Sequence, residues 1–278
     1  GQQFSLPDVL MSGLAVFVLK FPSLLKFDEQ RNEARIRANL KSLYGVEKAP
    51  CDTQLREILD RVNPAELRTP FIQINQRLLD HPLLEGFRYL GSFLISMDGT
   101  GQFSSSRISC PECGVRHHRN GEVGYYHQLL AAVIVHPDQK QVLPLFPEAI
   151  THQDGKTKND CELNASKRLV KQLREAFPDE PFRVVEDSLF ANGPHLKLLK
   201  ELNICYIISV KPEGQESLFA EVKDRFFKHE TEEFEVLGDD KIVRGYRWIN
   251  DIPLNKSYPD LRVNFLDYWE IRDGKEFN

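Results

Sequence analysis

The chain has 278 residues, of which 41% are hydrophobic and 28% are charged, a composition typical of a folded globular protein with one large domain or two smaller ones. The 36 Lys and Arg residues are outnumbered by 41 Asp and Glu residues, so the net charge of −5 excludes a polycation and restricts any nucleic-acid contact to local basic patches. The longest apolar stretch, residues 9–19, is shorter than the roughly 20 residues of a membrane span and lacks the basic flank of a secretory signal, so no membrane segment is expected.

Residues 1–88 are predicted to form a compact α-helical domain. Its first helix follows Ser5, a favourable N-cap residue, and has Pro7 in its first turn. Residues 29–43 mix basic and apolar side chains in the pattern of an amphipathic helix with a basic side. Residues 53–62 and 72–79 continue the helical pattern, and prolines separate these segments.

Residues 89–278 are predicted to form a second, mixed α/β domain. Apolar runs typical of strands occur at 93–97, 125–136, 141–145, 182–185 and 205–210. Between the last three runs lie two helices, one with Asn159 as its predicted cap and one with Asn192. The order β-β-β-α-β-α-β predicts an RNase H-like fold, a mixed sheet with flanking helices. A β-rich segment around residues 213–262 follows, with strands expected at 234–237, 242–248 and 263–271.

Two aspartates follow apolar strands of this predicted sheet. Asp98 comes after the run 93–97, and Asp187 comes just after the run 182–185. In this strand order the two strands are neighbours, so the carboxylates are expected to converge and to offer the hard oxygen ligands that Mg²⁺ or Mn²⁺ requires. Such a site suits two-metal-ion phosphoryl transfer. The alternative is that each aspartate merely ends a strand or begins a turn.

Several longer stretches resemble the DDE-type insertion-sequence transposases of bacteria. They are Leu10-Met-Ser-Gly-Leu-Ala, Lys20-Phe-Pro-Ser-Leu-Leu, Ser96-Met-Asp-Gly-Thr-Gly-Gln-Phe, His117-His-Arg-Asn-Gly, Tyr125-Tyr-His-Gln, Lys158-Asn-Asp-Cys-Glu-Leu-Asn-Ala and Val185-Glu-Asp-Ser-Leu-Phe-Ala-Asn-Gly-Pro-His. The resemblance implies that Asp98 and Asp187 are catalytic acids of a Mg²⁺-dependent transposase. It also implies that the protein acts on terminal inverted repeats and target DNA in the bacterial cytoplasm, at the nucleoid. A homodimer is expected, because two DNA ends must be joined.

The sequence departs from that family at the third catalytic acid. In the family this acid lies in the signature Tyr-x2-Arg-x3-Glu-x6-Lys, and none of the eight tyrosines has an arginine three residues later. The third acid is therefore expected beyond Asn278, and the present residues alone are expected to cleave DNA hardly at all. Glu162 and Glu186 lie inside the predicted core, but neither matches the family's position. A catalytically inactive DNA-binding or oligomerisation remnant, and another nuclease of the RNase H fold, remain alternatives.

A second cluster of chemically reactive side chains begins at a Cys-x-x-Cys. The chain has five cysteines, which favours a reducing cytoplasm over a disulfide framework. Cys110, Cys113, His117 and His118 offer the ligand types of a Zn²⁺ site, and because their spacing is tight, His127 or Cys161 are alternative ligands. The other interpretation is a pair of reduced surface cysteines beside histidines that face DNA.

Three groups of basic side chains are candidate phosphate contacts. They are Arg31, Arg35, Arg37 and Lys41; Arg116, His117, His118 and Arg119; and Lys167, Arg168, Lys171 and Arg174. His195, near the start of the helix after Asp187, is a further candidate. For the two helical groups the alternative is an ordinary solvated helix face.

Overall fold

A computed structural model describes residues 4–151 and 161–277, and the chain forms two compact units, Gly1–Pro70 and Phe71–Asn278. The boundary predicted at residue 88 is therefore too late. The reason is that residues 71–88 contribute Leu79 and Leu84 to the hydrophobic core of the second unit. In the described ranges, no helix has the length and apolar character needed to cross a bilayer.

The first unit is helical, as predicted. Its helices are α1 (Leu6–Val18), α2 (Leu24–Gln30), α3 (Ala34–Tyr44) and α4 (Asp52–Leu59), followed by a 3₁₀ turn at Pro64–Leu67. Ser5 caps α1 by accepting a hydrogen bond from the backbone N–H of Asp8, which confirms the predicted helix start. The buried face consists of Val9, Ala15, Val16, Phe27, Leu40, Val46, Ala49 and Leu55.

The single basic helix expected at residues 29–43 is wrong, because the chain turns between α2 and α3. Phe27 and Leu40 enter the same core, whereas in one straight helix they would point about 140° apart. Arg31 lies at this turn, where it pairs with Asp28 and donates to the carbonyl of Ala49 at 2.7 Å. Arg31 therefore fastens the turn rather than facing solvent with the other basic residues of this segment.

The second unit begins with α5 (Arg68–Leu79) and a 3₁₀ segment at Pro82–Phe87, and then forms a mixed sheet. The strands are β1 (Arg88–Tyr89), β2 (Ser92–Ser105), β3 (Gly114–His117), β4 (Val123–His136), β5 (Gln139–Pro144), β6 (Glu148–Ile150), β7 (Phe182–Glu186) and β8 (Cys205–Ile208). Their order is β3-β4-β2-β7-β8, with β5 and β6 also on β4 and β1 on β2. The five predicted strands are confirmed, whereas β1, β3 and β6 were not predicted.

Strand β2 is much longer than the predicted strand at 93–97. It pairs with the antiparallel β4 from Leu94 opposite Val135 to Ser105 opposite Tyr125. Beyond the apolar run its residues are largely exposed, and a register shift between Gly101 and Phe103 marks a bulge. The hydrophobic run therefore marks only the part of β2 that is buried, because the polar half keeps its backbone pairing with β4.

Two helices cover the sheet and connect its parallel strands. They are α6 (Glu162–Ala176), which lies against β2, β4 and β6, and α7 (Gly193–Glu201), which lies beside α6 and β8. The N-cap position of α6 is Cys161, so the predicted cap Asn159 is not the N-cap, and Asn159 itself lies outside the described residues. The predicted cap of α7 is confirmed, since the Asn192 side chain accepts a hydrogen bond from the backbone N–H of His195.

The remaining residues form a helix and an antiparallel sheet. After a short 3₁₀ turn, Pro212–Gly214, come α8 (Glu216–Phe227), β9 (Glu232–Leu237), β10 (Val243–Asn255), β11 (Tyr258–Arg272) and β12 (Lys275–Phe277), in the sheet order β12-β11-β10-β9. The three strands predicted here are confirmed. The segment predicted as β-rich at 213–262 instead opens with α8, and its sheet continues to Phe277.

Candidate functional site

Asp98 lies in β2, and Asp187 directly follows the neighbouring strand β7. Strands β2 and β7 are parallel, and their pairing runs from Phe93 opposite Phe182 to Ser96 opposite Val185. Continuing this register by two residues places Asp98 beside Asp187, and paired strands lie about 4.8 Å apart. Both aspartates are exposed. The prediction that the two acids come from adjacent strands is confirmed, although Asp98 lies within β2 and not at its end.

The backbone holds one oxygen of each aspartate. Asp98 Oδ1 accepts from the N–H of Gly99 at 2.8 Å, and Asp187 Oδ1 accepts from the N–H of Leu189 at 2.9 Å. Neither Oδ2 atom accepts a hydrogen bond from the described part of the chain. Each carboxylate is therefore oriented at one oxygen and has a second oxygen available for a ligand.

Glu162, the first residue of α6, brings a third carboxyl group to these aspartates. Its Oε1 accepts from Gln128 Nε2 of β4 at 2.7 Å. Burial raises the pKa of Glu162, and the negative charges of Asp98 and Asp187 raise it further. The helix N-terminus offsets part of this cost, because its partial positive charge favours an anion. Both aspartates thus lie near enough to Glu162 for their charges to act on its pKa.

The close approach of Glu162 depends on a glycine in β2. A Cβ atom added at Gly99 would overlap the carboxyl group of Glu162 and would crowd Gln128 Nε2 at 2.9 Å. The missing side chain of Gly99 therefore leaves the space that the Glu162 carboxyl group occupies. The sequence shows an Asp-Gly after an apolar strand and a Glu in the first turn of a helix. It does not show that this helix packs on the strand at Gly99.

The three carboxyl groups are close but do not form one tight cluster. The ligand atoms of Asp98, Asp187 and Glu162 do not all lie within 4.8 Å of one another. Among the described residues, Cys110, Cys113 and His127 form such a group. The carboxylates are thus spread wider than a single closed coordination sphere.

Glu186 and His195 belong to the interior and not to this site. Their side chains are fully buried, and His195 Nε2 lies 2.8 Å from Glu186 Oε2. The other ring nitrogen, Nδ1, lies 3.3 Å from the hydroxyl of Ser166 in α6. The prediction that His195 reaches a phosphate is therefore wrong, because no DNA strand can enter this closed space. Glu186 is also excluded as a metal ligand beside Asp187, since successive strand residues point to opposite faces.

The basic residues of α6 divide into structural and exposed ones. Arg168 pairs with the buried Glu148 at 2.7 Å and donates to the carbonyl of Ala149. Arg174 donates to the backbone carbonyls of Phe177, Pro178, Glu180, Leu202 and Asn203. The prediction of Arg168 as a DNA contact is therefore corrected to a role in packing α6 on β6. Lys171 is exposed and Lys167 is half-buried.

The other predicted basic group lies on the β3–β4 hairpin. Arg116, His117, His118 and Arg119 are all exposed. The Arg116 guanidinium lies over the ring of Tyr126, 5.2 Å from its centroid. In this predicted group all four side chains are exposed and consecutive in sequence, whereas each of the other two predicted groups includes partly buried residues.

His117 and His118 are not metal ligands with the Cys-x-x-Cys. His117 pairs with Val123, four positions or about 13 Å along β4 from His127. His118 lies against Gly124, whose face of β4 is opposite to that of His127. The histidine that meets Cys110 and Cys113 is instead His127, which the sequence offered as an alternative ligand.

No protein-family model matches this chain, and no curated protein matches it. Among solved structures, the chain is similar to a cryo-EM structure of piggyBac transposase in a synaptic complex with hairpin DNA, with a TM-score of 0.35 and 13% sequence identity. The similarity covers 95% of this chain and 52% of that one, so the chain spans about half the length of that transposase. At this level of identity the similarity assigns no role to any side chain.

Proposed function

We propose that this chain is the catalytic part of a DNA transposase that cuts and joins DNA at terminal inverted repeats. The observation that carries the proposal is the position of Asp98 in β2 and of Asp187 directly after the adjoining strand β7, where the charges of both act on the pKa of Glu162. The resemblance of the surrounding motifs to bacterial insertion-sequence transposases supports the DNA substrate.

An RNase H-like core is part of the same proposal, and the strand order supports it. Strands β2, β4 and β5 form an antiparallel succession, and β7 and β8 then add on the other side of β2, parallel to it. Helix α6 precedes β7 and α7 precedes β8. This is the β-β-β-α-β-α-β succession that the sequence predicted.

Mg²⁺ or Mn²⁺ fits the donor set of this site. Carboxylate oxygens are the hard ligands these ions prefer, and a nearby cation would offset the repulsion that raises the pKa of Glu162. Asp98, Asp187 and Glu162 would supply ligands for two metal ions, which when bound would give charge stabilisation for phosphoryl transfer. The protein's own part is positional: the backbone N–H groups of Gly99 and Leu189 orient the aspartates, and Gln128 orients Glu162.

DNA would be held by basic residues outside this acidic site. The exposed Arg116 and Arg119 on the β3–β4 hairpin, with Lys171 and the half-buried Lys167 on α6, would supply positive charge for phosphates. A homodimer is proposed for the active complex, because joining requires two DNA ends.

Metal binding is tested by titrating the purified protein with Mn²⁺ in a calorimeter. Asp98→Asn, Asp187→Asn and Glu162→Gln are each expected to weaken binding at least about tenfold, since each removes one anionic ligand. The matched controls are Asp138→Asn and Glu175→Gln, which change exposed acids elsewhere on the same unit and should leave the affinity unchanged. Equal affinity in the site variants and the controls would contradict the metal assignment.

The reaction is tested by a nicking assay on labelled duplexes, one with the element's repeat end and one with a shuffled sequence. The protein is assayed as residues 1–278 and as any longer product of the same reading frame. Mg²⁺-dependent nicking at the repeat end, lost in Asp98→Asn and Asp187→Asn while DNA binding persists, is the expected result. Equal cleavage of both duplexes would indicate a nuclease of another kind. Binding without cleavage by either form would indicate a catalytically inactive remnant.

A further inference from the structure

The connection between β2 and β3 carries two cysteines that face a histidine of β4. Cys110 Sγ and Cys113 Sγ lie 3.6 Å apart. His127 Nε2 lies 3.2 Å from the first sulfur and 3.3 Å from the second. The three donor atoms thus form a nearly equilateral triangle from two separate chain segments.

Neither a disulfide nor hydrogen bonding accounts for this triangle. Both cysteines are free, and their sulfurs are far beyond the roughly 2.05 Å of an S–S bond. One imidazole nitrogen has either one proton or one lone pair, so it can make a good hydrogen bond with only one of the two thiols. Near-equal distances to both sulfurs are expected instead when all three atoms share a central ion.

We propose that Cys110, Cys113 and His127 bind a zinc ion. With Zn–S bonds of about 2.3 Å and a Zn–N bond of about 2.0–2.1 Å, a tetrahedron has edges of about 3.8 Å between sulfurs and about 3.6 Å between sulfur and nitrogen. The observed separations lie within a few tenths of an ångström of these values. Two soft sulfurs and an imidazole select Zn²⁺ over Mg²⁺, which the carboxylate site prefers.

The described residues supply three of the four ligands of a tetrahedral zinc site. Among the described residues no fourth His, Cys, Asp or Glu joins the group, and Cys110 is exposed. Cys113 is buried, and its Sγ accepts from the N–H of Cys110 at 3.3 Å, which fixes the position of the sulfur.

The zinc ion would tie the β2–β3 connection to the middle of the sheet. Cys113 immediately precedes β3, while His127 pairs with Phe103 of β2 within β4. The ion therefore fixes the base of the hairpin whose exposed residues include Arg116 and Arg119. His127 also precedes Gln128, the partner of Glu162, so the zinc ion and the Gln128–Glu162 hydrogen bond lie on opposite faces of β4. Zinc binding here stands whether or not the protein acts on DNA.

The test is a Co²⁺ titration of the metal-free, reduced wild-type protein. One equivalent is expected to produce sulfur-to-cobalt charge-transfer absorption and the intense visible bands of tetrahedral cobalt, and Zn²⁺ should displace it. Cys110→Ser and His127→Asn should weaken binding by more than about 100-fold, because even the outer partners of ligands are worth about 10–100-fold. Cys205→Ser and His118→Asn, which change exposed residues outside the triangle, are the matched controls.

Several results would overturn the proposal. One is the absence of charge-transfer absorption in the wild type. Others are an equal loss of Co²⁺ binding in Cys205→Ser, or a loss in His118→Asn but not in His127→Asn. The last is a Cys110–Cys113 disulfide that persists after treatment with a reductant. X-ray absorption of the zinc-loaded wild type gives a second measurement that needs no variant. Two sulfurs and one imidazole nitrogen around zinc would support the site, and any other sulfur count would contradict it.

Discussion

At the scale of single residues, the carboxyl group of Glu162 carries an electrostatic cost in the metal-free protein. Its pKa is raised by burial and by Asp98 and Asp187, so the folded state holds the proton to higher pH than the unfolded state does. Stability should therefore fall as pH rises from about 4.3, the ordinary value for glutamate, through the raised folded pKa. Glu162→Gln removes this loss while keeping an acceptor for Gln128.

We expect Glu162→Gln to raise the urea midpoint at pH 8 in a chelating buffer, with the gain shrinking as pH is lowered towards 4.5. Adding Mn²⁺ should reverse the order, because only the wild type gains a ligand from the carboxylate. The comparison variant is Glu175→Gln at the exposed end of the same helix. A midpoint at pH 8 that does not rise above that of the wild type would count against the electrostatic account.

His195 makes a second prediction at this scale. His195→Ala removes the partner of the buried Glu186 and leaves a carboxyl group without compensation, so the free energy of unfolding should fall by roughly 3–5 kcal/mol. His117→Ala, at an exposed position, should change it by less than about 0.5 kcal/mol. Urea unfolding followed by circular dichroism measures both. A small loss in His195→Ala would mean that the pair contributes little to the core.

At the scale of elements, the approach of α6 to β2 decides whether the third acid reaches the site. Gly99→Ala places a methyl group where the Glu162 carboxyl now lies, whereas a Cβ at Gly101 meets nothing within 4 Å. The Glu162 side chain can swing away at little cost, so Gly99→Ala should lower Mn²⁺ affinity at least about tenfold while stability changes by less than about 1 kcal/mol.

Gly101→Ala is the matched control, two residues along the same strand, and should bind Mn²⁺ as the wild type does. Calorimetry and urea unfolding on the same samples separate the two effects. Unchanged Mn²⁺ affinity in Gly99→Ala would show that Glu162 is not a ligand, and a large stability loss would show that the α6–β2 packing is less adaptable than argued.

At the scale of the whole molecule, a net charge of −5 means that DNA binding must come from few contacts. Arg119 is exposed on the β3–β4 hairpin. Lys228, the residue that follows the last residue of α8, is already paired with Asp224 at 2.6 Å. Arg119→Gln should therefore weaken binding to any duplex and reduce the salt slope of the affinity by about one. Lys228→Gln should change neither quantity. Fluorescence anisotropy at several salt concentrations measures both, and identical slopes would contradict a contact at the hairpin.

The sequence by itself determined most of the helices and strands, though not β1, β3, β6 or α8, and it predicted that Asp98 and Asp187 come from neighbouring strands. These features depend on local patterns: Ser5 and Asn192 cap helices through nearby backbone groups, and the apolar runs before Asp98 and Asp187 mark buried strands. The length of β2 escaped prediction, because its exposed half is held by β4 and not by burial.

Only the tertiary structure decided which side chains meet. Glu162 reaches the aspartates through a helix packed on Gly99, and His127 meets Cys110 and Cys113 through the pairing of β2, β3 and β4. The same packing buries His195, which the sequence had placed near DNA. These outcomes depend on contacts between segments far apart in the chain, and a local pattern of residue types specifies neither the register nor the face on which such segments meet.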